Sequence, residues 1–299
     1  MTTEPLLRLA PDRKSGKIRG IPSVCSAHPV VIRTALAMGR ARGVPVLIEA
    51  TCNQVNQEGG YTGMTPADFR AFVLDLSRQE GFDPAGLILG GDHLGPNPWT
   101  WLPADQAMDK ACAMVAGYAA AGFTKIHLDA SMACADDPTP VPDAVIATRN
   151  ARLAAVAEAH AAGEAPVYVI GTEVPVPGGA LEEVEGLVVT SPAAARTTVD
   201  LHRDAFSQAG VPDAFARVVG LVVQPGVEFG NENVVAYRPE EARALVASLS
   251  DLPMLFEAHS TDYQTPQALA DLVRDGFGIL KVGPGLTFAL REALYGLDR

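Results

Sequence analysis

The chain has 299 residues, of which 48% are hydrophobic and 6% are aromatic, and its formal net charge is −12. The apolar content allows a large core and excludes wholesale disorder, and the shortage of aromatic residues favours an α/β protein over a β-sandwich. The acidic balance makes nucleic acids and anionic membranes poor partners, so we expect neither.

Cysteine usage and the start of the chain indicate the compartment. None of the four cysteines belongs to a CxxC pair, and residues 1–20 contain no long apolar core of a secretory signal. No run approaches the ~18 consecutive apolar residues of a membrane span. These patterns are typical of a cytoplasmic protein with reduced thiols, so we expect a cytoplasmic location.

Eight short apolar segments alternate with longer Ala- and Leu-rich helical segments. The predicted strands are Ile21–Ser26, Val44–Thr51, Gly86–Asp92, Lys125–Asp129, Pro166–Thr172, Arg217–Val223, Met254–Ala258 and Gly278–Val282. The predicted helices are Pro29–Arg42, Pro66–Glu80, Ala104–Ala121, Asp143–Ala162, Pro192–Gln208, Pro239–Leu249, Pro266–Asp275 and Leu286–Tyr295. Three helices start with a Ser or Thr before Pro, at Thr65, Ser191 and Thr265, which predicts N-caps there.

The predicted strands are almost continuously apolar, which is typical of parallel strands buried on both faces. Eight β/α units of this kind predict a closed (β/α)₈ TIM barrel, with a doubly wound open sheet as the alternative. No linker rich in Pro, Gly or Ser interrupts the chain. We therefore predict a single domain over residues 1–299.

Polar residues and glycines collect at the carboxyl ends of the predicted strands, which form the ligand-binding face of such a barrel. The opposite strand ends, such as Ala85-Gly86, carry few polar groups. The asymmetry predicts one ligand site. Its candidate substrate-binding residues are Glu49, Asn53, Gln54, His127, Asp129 and Gln224.

Four of the six histidines also follow predicted strands: His28, His93, His127 and His259. A buried histidine that is satisfied by a backbone carbonyl is the alternative for each of them. The other two, His160 and His202, lie in predicted helices, and we expect them at the surface.

A metal site is predicted from three residues that follow the third, fifth and seventh strands, His93, Glu173 and His259. Side chains from alternate strands of a barrel converge on common layers, so these groups can meet over its mouth. Imidazole and carboxylate are ordinary ligands of divalent ions, and three protein ligands leave one position open. We expect a divalent metal, with Zn²⁺ as the first candidate.

Three ionisable residues beside this site are candidates for catalysis. Asp92 precedes His93 and could move a proton, although it could also cap the following helix. Lys281 could be a Schiff-base amine, a phosphate counter-charge or one half of an ion pair with Glu257 or Glu49. We expect Glu257 or Lys281 to orient a substrate hydroxyl.

A phosphate cradle is predicted after the seventh and eighth strands, because Gly283 and Gly285 open a helix there. Ser260 and Thr261 would add donors to their backbone N–H groups. A tight turn that requires glycine is the alternative. The sequence contains no GxxxxGK[ST] loop, which disfavours a P-loop kinase.

Long motifs at the strand ends point to a known family. They are SVCSAHP (from Ser23), LIEATCNQVNQEGGYTGMTPADFR (Leu47), GGDHLGPN (Gly90), KIHLDASMACADDPTP (Lys125), YVIGTEVPVPGG (Tyr168), VVQPGVEF (Val222), EAHSTDYQT (Glu257) and ILKVGPGLTFALREA (Ile279). Over most of the chain, these motifs resemble the Z subunit of class II D-tagatose-1,6-bisphosphate aldolases. The resemblance implies a class II aldolase-like barrel and a role in tagatose 6-phosphate breakdown, in galactitol or N-acetylgalactosamine catabolism.

The resemblance also implies a partner. The Z subunit stabilises a separate catalytic Y subunit and is inactive as an aldolase alone, so we expect a non-catalytic subunit in an oligomer with a Y-type chain. Some related proteins are metal-dependent ketose or uronate 4-epimerases, which makes an enzyme acting on a ketose or its phosphate the alternative. The family has also been named tagatose 6-phosphate kinase, a remote alternative that no residue here supports.

Individual residues carry the more distant likeness to class II aldolases. Asp92-His93 resembles their catalytic Asp and zinc His, and His259-Ser260 resembles their later zinc His and phosphate-binding Ser. Glu173 stands where they have a further zinc His, and its negative charge should weaken the ion as a Lewis acid. We therefore expect little aldolase activity from this chain, and we expect the family's C-terminal extension to be absent from it.

Overall fold

The computed structural model describes residues 2–171 and 187–298. Its strands are β1 Ile21–Cys25, β2 Val46–Thr51, β3 Leu87–Leu94, β4 Lys125–Leu128, β5 Val167–Ile170, β6 Val218–Val222, β7 Glu228–Phe229, β8 Val234–Val235, β9 Leu255–Ala258 and β10 Phe277–Val282. Eight of them pair in parallel and close into a barrel in the order β1-β2-β3-β4-β5-β6-β9-β10. The predicted TIM barrel is confirmed, and the open-sheet alternative is wrong.

The helices are α1 Glu4–Leu7, α2 Leu9–Lys14, α3 Pro29–Arg42, α4 Pro66–Gln79, α5 Ala104–Ala120, α6 Asp143–His160, α7 Pro192–Gln208, α8 Pro212–Phe215, α9 Pro239–Ser248, α10 Pro266–Asp275 and α11 Pro284–Leu297. One long helix follows each barrel strand, and the bounds agree with the prediction within two residues. None of the described helices combines the length and the hydropathy that crossing a bilayer requires.

The helix starts follow from local chemistry. The side chains of Thr65, Ser191 and Thr265 each accept a hydrogen bond from the backbone N–H three residues further along, as predicted. Each is followed by Pro at the first helical position, where the missing N–H costs no hydrogen bond. These caps place the starts of α4, α7 and α10 at the carboxyl-end face of the barrel.

Short elements escaped the sequence prediction. They are α1 and α2 before the barrel, α8 before β6, and the antiparallel hairpin of β7 and β8. Leu6 in α1 and Leu9 in α2 are buried against the core, so tertiary packing holds these helices. Segments of two to six residues carry too few positions for a periodic pattern to stand out.

The expectation for the two helical histidines is half right. His160 is exposed at the end of α6, as predicted. His202 in α7 is buried, and its ring nitrogens lie 2.8 Å from the Thr198 carbonyl oxygen and 3.0 Å from Asn150 Nδ2. The surface prediction was wrong for His202 because α6 packs over α7 and supplies a side-chain partner.

Candidate metal centre at the barrel mouth

Beneath the mouth, the barrel interior holds a lysine between two carboxylates. Lys125 Nζ lies 2.6 Å from Glu49 Oε1 and 2.9 Å from Glu257 Oε2, and all three side chains are fully buried. Their strands β4, β2 and β9 are not neighbours, so the contacts cross the interior. A Cβ at Gly90 would lie 2.5 Å from Glu49 Oε1, so only glycine leaves room for this carboxylate. We call Glu49, Lys125 and Glu257 the ion-pair layer.

The charges of the layer partly offset one another, because one ammonium lies between two carboxylates. Burial by itself would lower the pKa of Lys125, but the nearby Glu257 and Glu49 carboxylates outweigh it and raise that pKa. Burial would likewise raise the pKa of Glu257, and Lys125 and His259 reverse the direction. Lys125 is therefore an ammonium ion held between carboxylates, an arrangement that the sequence suggested only as one of three alternatives for Lys281.

Above the layer, three histidine rings meet. The ring centroids of His93 and His127 are 4.7 Å apart, those of His93 and His259 are 5.0 Å apart, and those of His127 and His259 are 5.2 Å apart. Asp92 joins them, and one ligand atom from each of the four residues lies within 4.8 Å of all the others. All four are buried. We call Asp92, His93, His127 and His259 the histidine cluster.

Two of these histidines are backed by carboxylates. His93 Nδ1 lies 2.6 Å from Asp129 Oδ2, and His259 Nε2 lies 2.9 Å from Glu257 Oε1. Metal-binding histidines typically use their second ring nitrogen in this way, because the carboxylate sets the tautomer and the ring orientation. The arrangement makes Nε2 of His93 and Nδ1 of His259 the candidate ligand atoms.

The backbone at His93 explains how Asp92 enters the cluster. Successive strand residues point to opposite faces, so Asp92 was expected beside the metal as a proton-transfer group and not as a ligand together with His93. His93 has a φ of 48°, in the left-handed region that non-glycine residues seldom adopt, and the pairing of β3 with β4 shifts register between Gly91 and Leu94. This irregularity turns both side chains towards the mouth, and strain of this kind collects at functional sites.

His127 was predicted to bind substrate. In the structure it is one of the four residues of the histidine cluster. Its Nε2 is 3.3 Å from the Gly171 carbonyl oxygen, while its Nδ1 is 2.9 Å from Asp92 Oδ1 and accepts from the His93 N–H. Burial and the neighbouring His93 lower its pKa to about 4, so the ring is neutral. With its proton on Nε2, the His127 ring directs the lone pair of Nδ1 at the Asp92 carboxylate. A positive charge near these two electron-pair donors would stabilise the arrangement.

Lys281 supplies positive charge from one side. Its ammonium contacts Asp92 Oδ1 directly and lies 3.5 Å from Glu49 Oε2 and 3.9 Å from Glu257 Oε1. These contacts are the ones expected from the ion-pair alternative for Lys281, and Asp92 is its closest partner. Burial lowers the pKa of Lys281, and the Glu49 carboxylate opposes that shift.

The third predicted metal ligand, Glu173, lies outside the described residues. Within the described part, the residues that join His93 and His259 are Asp92 and His127. Sequence reasoning gave these two residues other roles because their strand positions alone did not show that they converge with the predicted ligands.

Several predicted substrate-binding residues have partners in the loops. Gln54 Oε1 accepts from the Thr51 N–H at 2.9 Å, and Gln224 Oε1 accepts from the N–H groups of residues 226 and 227 at the same distance. The Asn53 carbonyl accepts from a loop N–H. His28 caps α3 through Nδ1, at 3.2 Å from the Val30 nitrogen. Contact of Asn53, Gln54 and Gln224 with substrate stays a prediction.

The donors of the predicted phosphate cradle are occupied. Gly283 N and Gly285 N donate to Asp262 Oδ1 at 3.0 and 2.7 Å, and the Thr261 hydroxyl donates to the Lys281 carbonyl at 2.5 Å. The Ser260 side chain lies near the Glu228 carboxylate. Sequence reasoning missed Asp262, which follows Ser260 and Thr261 in the same loop. Phosphate binding there stays a prediction that would require this carboxylate to move.

The fold and the cluster together define a class of protein, a (β/α)₈ barrel with a candidate divalent-metal centre at its mouth. Residues 6–299 match the family described as "D-tagatose-1,6-bisphosphate aldolase subunit GatZ/KbaZ-like". The chain belongs to this family, as the strand-end motifs predicted.

Individual relatives sharpen the comparison. A protein of Agrobacterium fabrum named D-tagatose 6-phosphate 4-epimerase is 61% identical over 99% of this chain and 71% of its own length. A crystal structure from Sinorhizobium meliloti, titled as a probable tagatose 6 phosphate kinase, has a TM-score of 0.87 and 62% identity over 94% of this chain and 68% of that one. Fructose-bisphosphate aldolase from Campylobacter jejuni has a TM-score of 0.65 at 14% identity, over 99% of this chain and 80% of that one, and shares the fold.

Proposed function

We propose that this chain is a divalent-metal-dependent epimerase that inverts C4 of a ketose phosphate by retro-aldol cleavage and re-addition. The observation that carries the proposal is the histidine cluster, in which His93 and His259 are each backed by a buried carboxylate. A chain that only stabilised a partner would have no use for such paired ligands. The name of the Agrobacterium relative supports the same reaction and substrate class.

The donor set fits a divalent metal, and Zn²⁺ in particular. His93 and His259 would hold the ion through the ring nitrogens that face away from Asp129 and Glu257, and His127 or Asp92 would complete the set. When bound, such an ion supplies positive charge that stabilises the negative charge developing on a substrate oxygen. The facing electron-pair donors of His127 and Asp92 also favour a cation at this position.

Asp92 is the residue best placed to move the proton. Contact with the Lys281 ammonium favours its ionised form, so the carboxylate can take the proton of the C4 hydroxyl. The C3–C4 bond then breaks, giving an enediolate and an aldehyde. Rotation of the aldehyde presents its other face, the C3–C4 bond re-forms, and the proton returns from Asp92 to the C4 oxygen. No atom is lost, and the product is the C4 epimer.

Lys281 and Glu257 act on this step through other residues in our proposal. Lys281 holds Asp92 in place, and Glu257 holds the His259 ring. Because Glu257 also pairs with Lys125, the ion-pair layer fixes the position of the cluster above it.

The family description favours a second candidate, a supporting subunit for a catalytic Y-type aldolase chain. In that case the cluster would be a relic of an ancestral active site with no role in the reaction. The chain would contribute the surface that binds its partner. A ketose or ketose phosphate would then be bound mainly by the Y-type subunit.

One experiment separates the two candidates. The zinc-loaded chain is incubated with D-tagatose 6-phosphate, alone and with a Y-type subunit, and formation of the C4 epimer is followed. We expect epimerisation by the chain alone, loss of activity on chelation, and a decrease of at least ~100-fold in Asp92→Asn. The exposed Asp105→Asn is the matched control and should behave as wild type.

Absence of epimerisation by the metal-loaded chain would contradict the proposal. Stabilisation of the Y-type subunit by both wild type and Asp92→Asn, without epimerisation, would establish the supporting role instead.

A further inference from the structure

A carboxylate of the chain itself occupies the place where barrels of this type bind phosphate. The loops after the last two barrel strands, here β9 and β10, are the usual phosphate-binding loops of the fold. Asp262 follows β9, is 3% exposed, and accepts the N–H groups of Gly283 and Gly285 at the start of α11. These N–H groups are the donors that a bound anion would use at a helix N-terminus.

The Asp262 carboxylate packs closely against the turn that carries these N–H groups. A Cβ placed on Gly285 would lie 2.9 Å from Asp262 Oδ1, so the carboxylate sits directly against the backbone of the turn. The hydroxyl of Thr261 is turned away to the Lys281 carbonyl. A phosphate group would therefore have to displace the Asp262 side chain.

A second buried carboxylate reinforces the exclusion of anions. Glu228 in β7 is 1% exposed, and its Oε1 accepts from the Phe229 N–H at 2.9 Å. It lies close enough to Ser260 and Asp262 for both to affect its ionisation. A phosphate at this position would face negative charge from two side chains.

We propose that Asp262 is a specificity-determining residue that fills the anion cradle and selects a neutral hydroxymethyl group over a phosphate at this end of the site. The inference rests on the proposed function for the orientation of the sugar. Thr261, next to Asp262, donates to the carbonyl of Lys281, whose ammonium contacts Asp92 of the cluster. We therefore assign the end of the ketose next to its carbonyl, which is C1, to the cradle. The site would then accept ketose 6-phosphates and reject ketose 1-phosphates and 1,6-bisphosphates.

Binding of inorganic phosphate tests the cradle without any turnover. Calorimetric titrations compare the metal-loaded wild type with Asp262→Ala and Asp262→Asn, and with Glu240→Ala as a control that removes an exposed acidic residue from the first turn of α9. We expect Asp262→Ala to bind phosphate at least tenfold more tightly than wild type. Asp262→Asn should resemble wild type because its amide still fills the cradle, and the control should not change.

Two further measurements keep the result interpretable. Circular dichroism and the melting temperature establish that Asp262→Ala is folded, and if it is not, Asp262→Ser replaces it. A His93→Ala, Asp262→Ala double variant should keep the tenfold gain, because phosphate bound at the metal centre would be lost with His93. Wild type binding phosphate as tightly as a folded Asp262→Ala would overturn the proposal, as would a folded variant that gains nothing.

A separate arm tests the orientation of the sugar. Fructose 1-phosphate should protect Asp262→Ala from thermal unfolding and should not protect wild type, whereas fructose 6-phosphate should protect both. Equal protection of wild type by the two phosphates would overturn the assignment of C1 to the cradle. A gain in phosphate binding without any epimerase activity would reject the proposed function and leave the filled cradle standing.

Discussion

The ion-pair layer and the histidine cluster lie in the same barrel and are both buried, but they are built from different residue types. In the layer, Lys125 lies within 2.9 Å of a carboxylate oxygen of each of its two partners. In the cluster, three imidazoles and a carboxylate converge, and the Lys281 ammonium contacts that carboxylate. A buried ammonium between two carboxylates is costly to remove because it leaves their charges unpaired, whereas converging electron-pair donors with little positive charge are suited to bind an ion.

Glu257 connects the two regions, since one oxygen pairs with Lys125 and the other lies 2.9 Å from the His259 ring. The layer therefore fixes the position of the His259 imidazole in the cluster. Substitutions in the two regions should change metal binding and the free energy of unfolding to different extents.

The largest expected effect is on metal binding. His93→Ala removes a ligand of the cluster and should abolish stoichiometric zinc binding, whereas the exposed His160→Ala should retain it. Metal content after dialysis, measured by mass spectrometry, checks both. An undiminished zinc content in His93→Ala would mean that the cluster is not the metal centre.

Breaking the ion-pair layer should mainly cost stability. Lys125→Met leaves Glu49 and Glu257 buried without their ammonium partner, so the free energy of unfolding should fall by about 3–5 kcal/mol. Lys110 pairs with Glu58 at the surface, and Lys110→Met should cost less than about 1 kcal/mol. Urea denaturation gives both values, and equal losses would show that burial of the layer is unimportant.

Removing the carboxylate behind a ligand should weaken the metal without abolishing it. Asp129→Asn changes the group that orients His93, and zinc affinity should fall by roughly 10–100-fold. A competition titration with a chelating dye measures the affinity, with the exposed Asp109→Asn as reference. Unchanged affinity in Asp129→Asn would assign Asp129 to the fold alone.

The smallest effect concerns a buried histidine outside the cluster. Burial lowers the pKa of His202 below 6.5, so between its native pKa and about 6.5 the unfolded chain binds a proton that the folded chain does not. The free energy of unfolding should therefore fall as the pH falls through this window. His202→Gln should lack this component.

Urea denaturation at pH 7.5 and pH 5 tests the point through the difference in stability between wild type and His202→Gln. That difference should shrink at the lower pH. A constant difference would show that His202 is protonated equally in the folded and unfolded states.

Local sequence determined most of the fold. The eight apolar segments, their helices and the caps at Thr65, Ser191 and Thr265 could be predicted because hydrophobic periodicity and capping depend on residues close in the chain. The ligand-binding face, and His93 and His259 within it, followed from the same pattern, since parallel strands bring all their carboxyl ends together.

Contacts between distant segments were decided by the tertiary structure. Closure of the barrel places Lys125 between Glu49 and Glu257, and the irregular backbone at His93 brings Asp92 into the cluster. Asp262 reaches the N–H groups of a turn 21 residues further along the chain. Sequence spacing does not predict these contacts, because they depend on strand register, a strained φ angle and the direction in which each side chain leaves its strand.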